Sequence, residues 1–350
     1  MNVRLAAADD KKVWDAYVQG RPEASPYSLF AWKEAVELAY GFRGRYLLAE
    51  EEGRVKGVLP LFLFRVPFRG CSLVSLPYCD LGGLLADTAE ARNALLTECL
   101  TTAKDEKAKT IVIRTAADDL FAGAGNGADF AVETGKVRML LDLPGSSEML
   151  WQGFKSKLRS QVRKAEKNGL VFKWVGPEKI NEFYDVFSRN MHALGSPVHS
   201  KKWLESVLAH FGQAGRMGMV YKDEQPAGCG IIIASNQLVS IPWASTLREF
   251  NRLSPNMLLY WSFLKFAADN NKKVFDFGRS TPNEGTYRFK KQWGAEPVQL
   301  YWYRSGKDAG HNDDGPSSAL SRERLESMWQ QLPLSVANLM GPMIRKYISL

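Results

Sequence analysis

The chain has no apolar stretch near the roughly 20 residues that a membrane-spanning helix requires. Its most apolar run, Val58–Phe64, is much shorter and reads as a buried strand. The opening Met1-Asn2-Val3-Arg4-Leu5, followed by acids, lacks the basic start and apolar core of a secretory signal, so a cytoplasmic location is expected. Cysteine is scarce. Cys71, Cys79, Cys99 and Cys229 form no Cys-x-x-Cys or Cys/His pair, which excludes a recognisable metal motif and points to buried thiols in a reducing compartment. There is no Gly-x-Ser-x-Gly elbow, His-Glu-x-x-His or phosphate-binding P-loop. Gly123-Ala-Gly-Asn-Gly127 does not fit the dinucleotide fingerprint and reads as a flexible loop.

What is present in excess is positive charge. Lys and Arg number 46 against 38 Asp and Glu, a net charge of +8. That balance suits an anionic partner such as nucleic acid, anionic lipid or a phosphorylated substrate, and is also found in basic proteins with no such partner. At 350 residues the chain exceeds the usual single-domain size, so two domains are expected.

The order of elements repeats. Two apolar runs flank a polar turn at Glu51–Arg54, and two more flank Lys222–Gln225, each a hairpin signal. Two helical patterns precede each hairpin: Asp9–Gln19 and Ala31–Leu38, then Lys179–His192 and Lys202–Phe211. A helix and a buried strand follow each one: Ala89–Ala103 with Thr110–Arg114, then Pro255–Asp269 with Val274–Phe277. This order, twice over, is that of the GNAT fold: an α/β architecture of mixed sheets flanked by helices. The expected division is a first lobe over 1–143, closed by a strand pair within Phe130–Leu143, and a second over 144–305. A Gly/Ser/Asp-rich linker over 306–319 leads to a helical tail over 320–350. The tail's end mixes apolar residues with Arg345 and Lys346, and either docks on the body or touches a membrane surface.

Three segments carry candidate chemistry, all in the expected second lobe. Along Trp151–Lys173, Lys155, Arg159, Arg163 and Lys167 fall four residues apart beside an apolar stripe, a row that suits phosphate or forms a solvated face. At Arg252-Leu-Ser-Pro-Asn-Met, Ser254 is read as an N-cap and Pro255 as the first helical residue. The turn has no glycine, whereas acetyl-CoA-dependent GNAT enzymes hold the pyrophosphate on a Gly-rich turn there. The first-half junction, Gly83–Ala91, has no such loop either, so the acyl donor is expected not to be acetyl-CoA. Third, the strand at Val274 opens into a polar loop from which Asp276, Arg279, Tyr287 and Lys290 can line one cleft, or in which Asp276 and Arg279 simply pair.

Five stretches carry a family resemblance: Ser75-Leu-Pro-Tyr78-Cys-Asp80-Leu-Gly-Gly83, Leu194-Gly-Ser-Pro-Val-His199-Ser200, Pro242-Trp-Ala-Ser245, Arg252-Leu-Ser-Pro-Asn-Met-Leu-Leu-Tyr260-Trp261, and Phe275-Asp-Phe-Gly-Arg-Ser280 running on to Gly285-Thr-Tyr-Arg-Phe-Lys-Lys-Gln-Trp-Gly-Ala295. Over about residues 3–305 the chain resembles the FemAB-like proteins, most closely those associated with PEP-CTERM/exosortase and exopolysaccharide loci. The resemblance implies two GNAT-like lobes, with a substrate cleft between lobe edges, and N-acyl transfer. Characterised Fem enzymes move an amino acid from aminoacyl-tRNA to an amine of a cell-wall precursor whose phosphates rest on basic side chains.

Carried over by motif, Lys290 stands beside the reacting carbonyl and Arg159 and Arg163 hold phosphate. Lys33, in Phe30-Ala-Trp-Lys, matches a first-lobe region loosely. Tyr78, Asp80, His199, Tyr260, Arg279, Ser280 and Tyr287 are the further substrate-binding candidates, and Asp276 is the candidate base. The long helical arm of some Fem proteins has no room here, which points away from tRNA and leaves another activated acyl donor open. The expected acceptor is an anionic sugar-phosphate or lipid-linked precursor. Two rivals are a non-catalytic GNAT-like binding protein of an exopolysaccharide system and a tRNA- or nucleic-acid-binding module.

Overall fold

The two hairpins show how local chemistry sets the fold. Both close through two residues in left-handed conformation, the twist-matching geometry of tight hairpins. In the first, Glu52 and Gly53 have φ of 49° and 73°; in the second, Asp223 and Glu224 have φ of 47° and 66°. The computed structural model describes residues 1–67, 70–121, 130–306 and 316–350, the last stretch by its side chains only from residue 323. The Gly123–Gly127 loop and most of the linker expected over 306–319 lie outside the described residues.

Two units divide the chain. The first holds Met1–Arg138, a stretch beginning at Val298, and Tyr347–Leu350. Its elements are β1 (Asn2–Leu5), α1 (Lys11–Gln19), α2 (Phe30–Tyr40), β2 (Arg43–Gly44), β3 (Leu47–Glu51), β4 (Arg54–Leu59), β5 (Phe62–Val66), β6 (Gly70–Val74), β7 (Leu85–Ala86), α3 (Ala89–Asp105), β8 (Thr110–Thr115) and β9 (Phe130–Glu133). Thr88 caps α3 by accepting the Ala91 amide at 3.2 Å. Val58–Phe64, expected as one strand, is two: the chain leaves β4 at Leu59, passes through Pro60 and Leu61, and enters β5 in a different sheet. Proline cannot donate to a ladder, so the run breaks there. Leu47, Leu59, Leu61, Leu73, Leu95 and Ile113 form the centre of this unit's core.

The second unit holds Met139–Pro297 and the C-terminal helices. It contains β10 (Val137–Asp142), α4 (Ser147–Gly153), α5 (Ser156–Lys167), β11 (Leu170–Val175), α6 (Ile180–Ala193), α7 (Lys201–Phe211), β12 (Gly215–Lys222), β13 (Gln225–Ala234), β14 (Leu238–Thr246), α8 (Pro255–Asp269), β15 (Val274–Ser280), α9 (Gly285–Lys291) and β16 (Glu296–Gln299). β17 (Tyr301–Ser305) precedes α10 (Pro316–Gln331) and α11 (Leu334–Arg345). The seven-stranded sheet has the order β11-β12-β13-β14-β15-β10-β16. Gly218 and Gly230 face each other across β12 and β13, and a Cβ on Gly230 would come within 2.7 Å of the Phe263 ring. The bare backbone there lets α8 seat Phe263 on the sheet.

Two strand assignments expected from sequence are corrected. β9 and β10 do not pair with each other: β9 is at the edge of the first unit's six-stranded sheet, while β10 lies between β15 and β16. Residues 301–305, expected within the second lobe, form β17 between β8 and β9 of the first unit's sheet, with Tyr303 opposite Ile113 and Val132. The linker is shorter than expected, because α10 begins at Pro316. All four cysteines are buried and unbridged.

Candidate functional site

The second unit's sheet opens at one place. β14 and β15 run parallel in register only from Leu238 opposite Val274 to Ser240 opposite Asp276. β14 continues to Thr246, still paired with β13, and β15 continues to Ser280 away from it. The two strands part just beyond Asp276, leaving a wedge at their carboxyl ends, where open α/β sheets bind ligands.

Asp276 is the last paired residue and is buried. Its Oδ1 accepts the Gly278 amide at 2.8 Å and its Oδ2 accepts the Ser240 hydroxyl at 3.4 Å. Gly278 has φ of 75°, which turns its carbonyl out of the strand pattern. Lys290, on α9, is 7% exposed and donates from Nζ to the carbonyls of Gly278 at 3.1 Å and Arg279 at 2.6 Å. A nearly buried ammonium needs such acceptors to offset its lost hydration. Asp276, Gly278, Arg279 and Lys290 therefore form one hydrogen-bonded group. The Gly278 amide is committed to Asp276 rather than open to a substrate oxyanion. Ser280, at the end of β15, is 3% exposed, and its hydroxyl has no hydrogen-bond partner among the described residues.

Aromatic rings join this group to the basic helix. Tyr260 of α8 stacks on Phe277 at 5.6 Å and meets Phe289 at 5.0 Å and Trp293 at 6.4 Å. Burial pushes its hydroxyl pKa up to about 12. Trp293 meets Phe154 at 5.5 Å, Phe154 meets Trp261 at 5.9 Å, and Trp261 meets Trp151 at 4.8 Å. The Arg163 guanidinium sits 5.6 Å from the Trp151 ring centre. The buried Trp293 Nε1 has no partner among the described residues. The helix expected across Trp151–Lys173 breaks at Phe154, so Lys155 is the N-cap of α5 rather than part of its face. Arg159, Arg163 and Lys167 remain in register on α5, and none of the three makes an ion pair among the described residues. Tyr287 is half-buried on α9 with the Lys291 ammonium 6.0 Å from its ring.

Residues 152–291 match the family model described as an acetyltransferase (GNAT) domain. The matched residues lie within the second unit, whose sheet flanked by helices is GNAT-like in fold. The chain is 22% identical to the lipid II:glycine glycyltransferase of Staphylococcus aureus (strain USA300) over 376 positions, covering 80% of this chain and 87% of that protein. Its fold resembles the crystal structure of FemX, with a TM-score of 0.68 at 17% identity, over 86% of this chain and 97% of that one. It also resembles a tandem GNAT protein from the clavulanic acid biosynthesis pathway, with a TM-score of 0.55 at 13% identity, over 89% of this chain and 99% of that one. These matches support the FemAB-like resemblance read from the motifs.

The second unit does not gather every expected residue. At the α8 junction Ser254 stands at the N-cap position and Pro255 opens the helix, as expected, but Ser254 is left-handed, with φ of 65°, and its side chain makes no capping hydrogen bond. His199 is buried against Trp203 at 6.1 Å and Trp243 at 6.3 Å. Burial, aided by the Arg345 charge, holds its pKa well below the usual histidine value. Lys33, Tyr78 and Asp80 belong to the first unit. Lys33 pairs with Glu37 at 2.9 Å; the Tyr78 amide donates to the Ser349 carbonyl at 2.6 Å; the Asp80 carbonyl accepts Trp302 Nε1 at 3.3 Å.

The first unit has its own cleft, about 480 Å³, beyond the end of β8 at the start of α3, lined by Leu81–Gly83, Thr88 and Thr115–Ala117. Its charged lining, Glu23, Asp87 and Asp119 against Arg92, does not suit an anion. Sequence reasoning missed Ser240, hidden in an apolar strand, and the ring chain, whose tryptophans read as ordinary core. Gly278 between Asp276 and Arg279 was the legible signal for the turn-out.

Proposed function

We propose that this chain is a Fem-type N-acyltransferase that moves an aminoacyl or acyl group to an amine of a phosphorylated, nucleotide- or lipid-linked sugar or peptidoglycan/exopolysaccharide precursor. The observation that carries the reading is the parting of β14 and β15 at Asp276, with Lys290 buried at the opening. The acceptor amine binds at this wedge and gives up its proton to Asp276, directly or through water, as its nitrogen attacks the acyl carbonyl. The Lys290 charge stabilises the oxyanion that forms, a contribution of about 3 kcal/mol for a typical donor. Collapse of the intermediate releases the donor's leaving group. Arg159 and Arg163 take the acceptor's phosphates, and the Ser280 hydroxyl and Trp293 Nε1 offer polar contacts to the substrate. The glycine-free turn at Ser254 supports a donor other than acetyl-CoA, either aminoacyl-tRNA or another activated acyl group. The PEP-CTERM and exopolysaccharide setting rests on the motif resemblance.

A second reading is favoured by the geometry of Lys290, whose ammonium serves two backbone carbonyls. In that reading the unit binds a sugar nucleotide without transfer. Incubation with aminoacyl-tRNA or acyl donors and with lipid II or a nucleotide-linked precursor, followed by mass spectrometry, separates the two. A mass gain of one acyl group on the acceptor amine, lost in Lys290→Ala, is the expected result. Tight precursor binding with no mass gain from any donor favours the binding protein.

A further inference from the structure

α11 carries its apolar side outward. Val336, Leu339, Met340, Met343 and Ile344 recur at i, i+3, i+4, i+7 and i+8, which is one helical face. All five are exposed, Leu339 at 72% and Met343 at 58%. The opposite side fixes the helix to the second unit along a narrow seam. Ala337 and Gly341 are buried there, and a Cβ on Gly341 would lie 3.0 Å from the Val198 amide nitrogen. Asn338 Nδ2 donates to Ser188 Oγ at 3.3 Å. A helix that only covered a core would have the reverse arrangement. α10 adds Leu325 and Met328, exposed at 66% and 65%. Single exposed apolar residues are ordinary; a whole helical face of them is not.

The charge pattern selects the partner. The last carboxylate side chain is Glu326, and Arg345 and Lys346 follow the apolar face. An acid-free apolar helix on a chain of net charge +8 matches the boundary of an anionic bilayer, where the apolar side enters the acyl region. The 12 residues of α11 span about 18 Å, too short to cross and suited to lying flat. No helix among the described residues is long and apolar enough to cross a membrane. We propose that the outward face of α11 docks this protein on an anionic lipid surface. The inference is independent of the transfer chemistry.

The test uses the full chain and vesicles of phosphatidylcholine with and without phosphatidylglycerol. The expected result is co-sedimentation with the anionic vesicles that weakens as salt rises. The double variant Leu339→Glu, Met343→Glu lowers partitioning roughly tenfold or more, with an unchanged melting transition because both side chains are already outside. Three outcomes overturn the proposal: wild type that stays in the supernatant, a variant that binds as well as wild type, or a self-association of the chain that the variant dissolves, which makes the face a contact between copies.

Discussion

Lys290 Nζ donates to the carbonyl of Gly278 at 3.1 Å, and the amide of that same glycine donates to Asp276. One glycine thus ties the candidate base to the candidate electrostatic stabiliser. Lys290→Met removes a charged donor from two carbonyls at a nearly buried site. Stability should fall by about 1–3 kcal/mol in urea unfolding, alongside loss of transfer. An unchanged unfolding midpoint would mean the latch contributes nothing to the fold.

Asp276→Asn separates position from proton transfer. The amide oxygen still accepts the Gly278 N–H, and the Ser240 hydroxyl still has a partner, so the melting temperature should move little. Turnover should drop about a hundredfold or more, with little change in acceptor KM. A variant with wild-type turnover removes Asp276 from the proton path.

On α5, Arg159→Ala with Arg163→Ala takes away two cations that make no ion pair among the described residues. The expected effect is a rise of about tenfold in KM for a phosphorylated acceptor at constant kcat. If a tRNA is the ligand, the slope of log affinity against log salt should shrink by about two. Binding that ignores salt excludes the phosphate role.

His199 makes stability depend on pH. Its folded-state pKa lies below the ordinary 6.5 because burial and Arg345 disfavour the imidazolium. The unfolded chain therefore takes up the proton first as pH falls. The stability is fully present above about pH 6.5 and declines below it, by up to about 1.4 kcal/mol per pH unit, until the folded pKa is reached. Denaturant midpoints from pH 7.5 to 5 should show this slope, and a His199→Gln variant should flatten it.

Glu224 holds φ of 66° at the tip of the second hairpin, where the first hairpin has Gly53. Glu224→Gly should stabilise the chain by about 0.5–1 kcal/mol, since glycine carries no Cβ cost in this region. A lower melting temperature would refute that account of the turn.

The repeat was legible because its signals are local. Pro255 sets the start of α8 and an apolar pattern carries it to Asp269, so the expected and observed helices coincide. Both hairpin turns could be placed from their polar residues alone. Sheet partnership was not legible: Phe130–Leu143 reads as one strand pair although β9 and β10 enter different sheets, and Tyr301–Ser305 falls in sequence within the second lobe, because a strand's pattern reports its burial and not its neighbour. The same limit applies to the site. Asp276, Arg279 and Lys290 stand close in the chain and were found together, whereas Ser240 reaches Asp276 only through strand pairing 36 residues apart. Ser254 was legible as the residue that precedes the helix, but not its left-handed backbone, which leaves the side chain without a capping hydrogen bond.

The placement of β17 sets a schedule on the ribosome. This strand pairs with both β8 and β9, yet it is translated after β16 has completed the other unit's sheet. The half of the protein that is made first is finished last. Until Tyr301–Ser305 emerges, β8 presents an open edge and β9 has no strand to join, the condition under which nascent chains recruit chaperones or pair with each other.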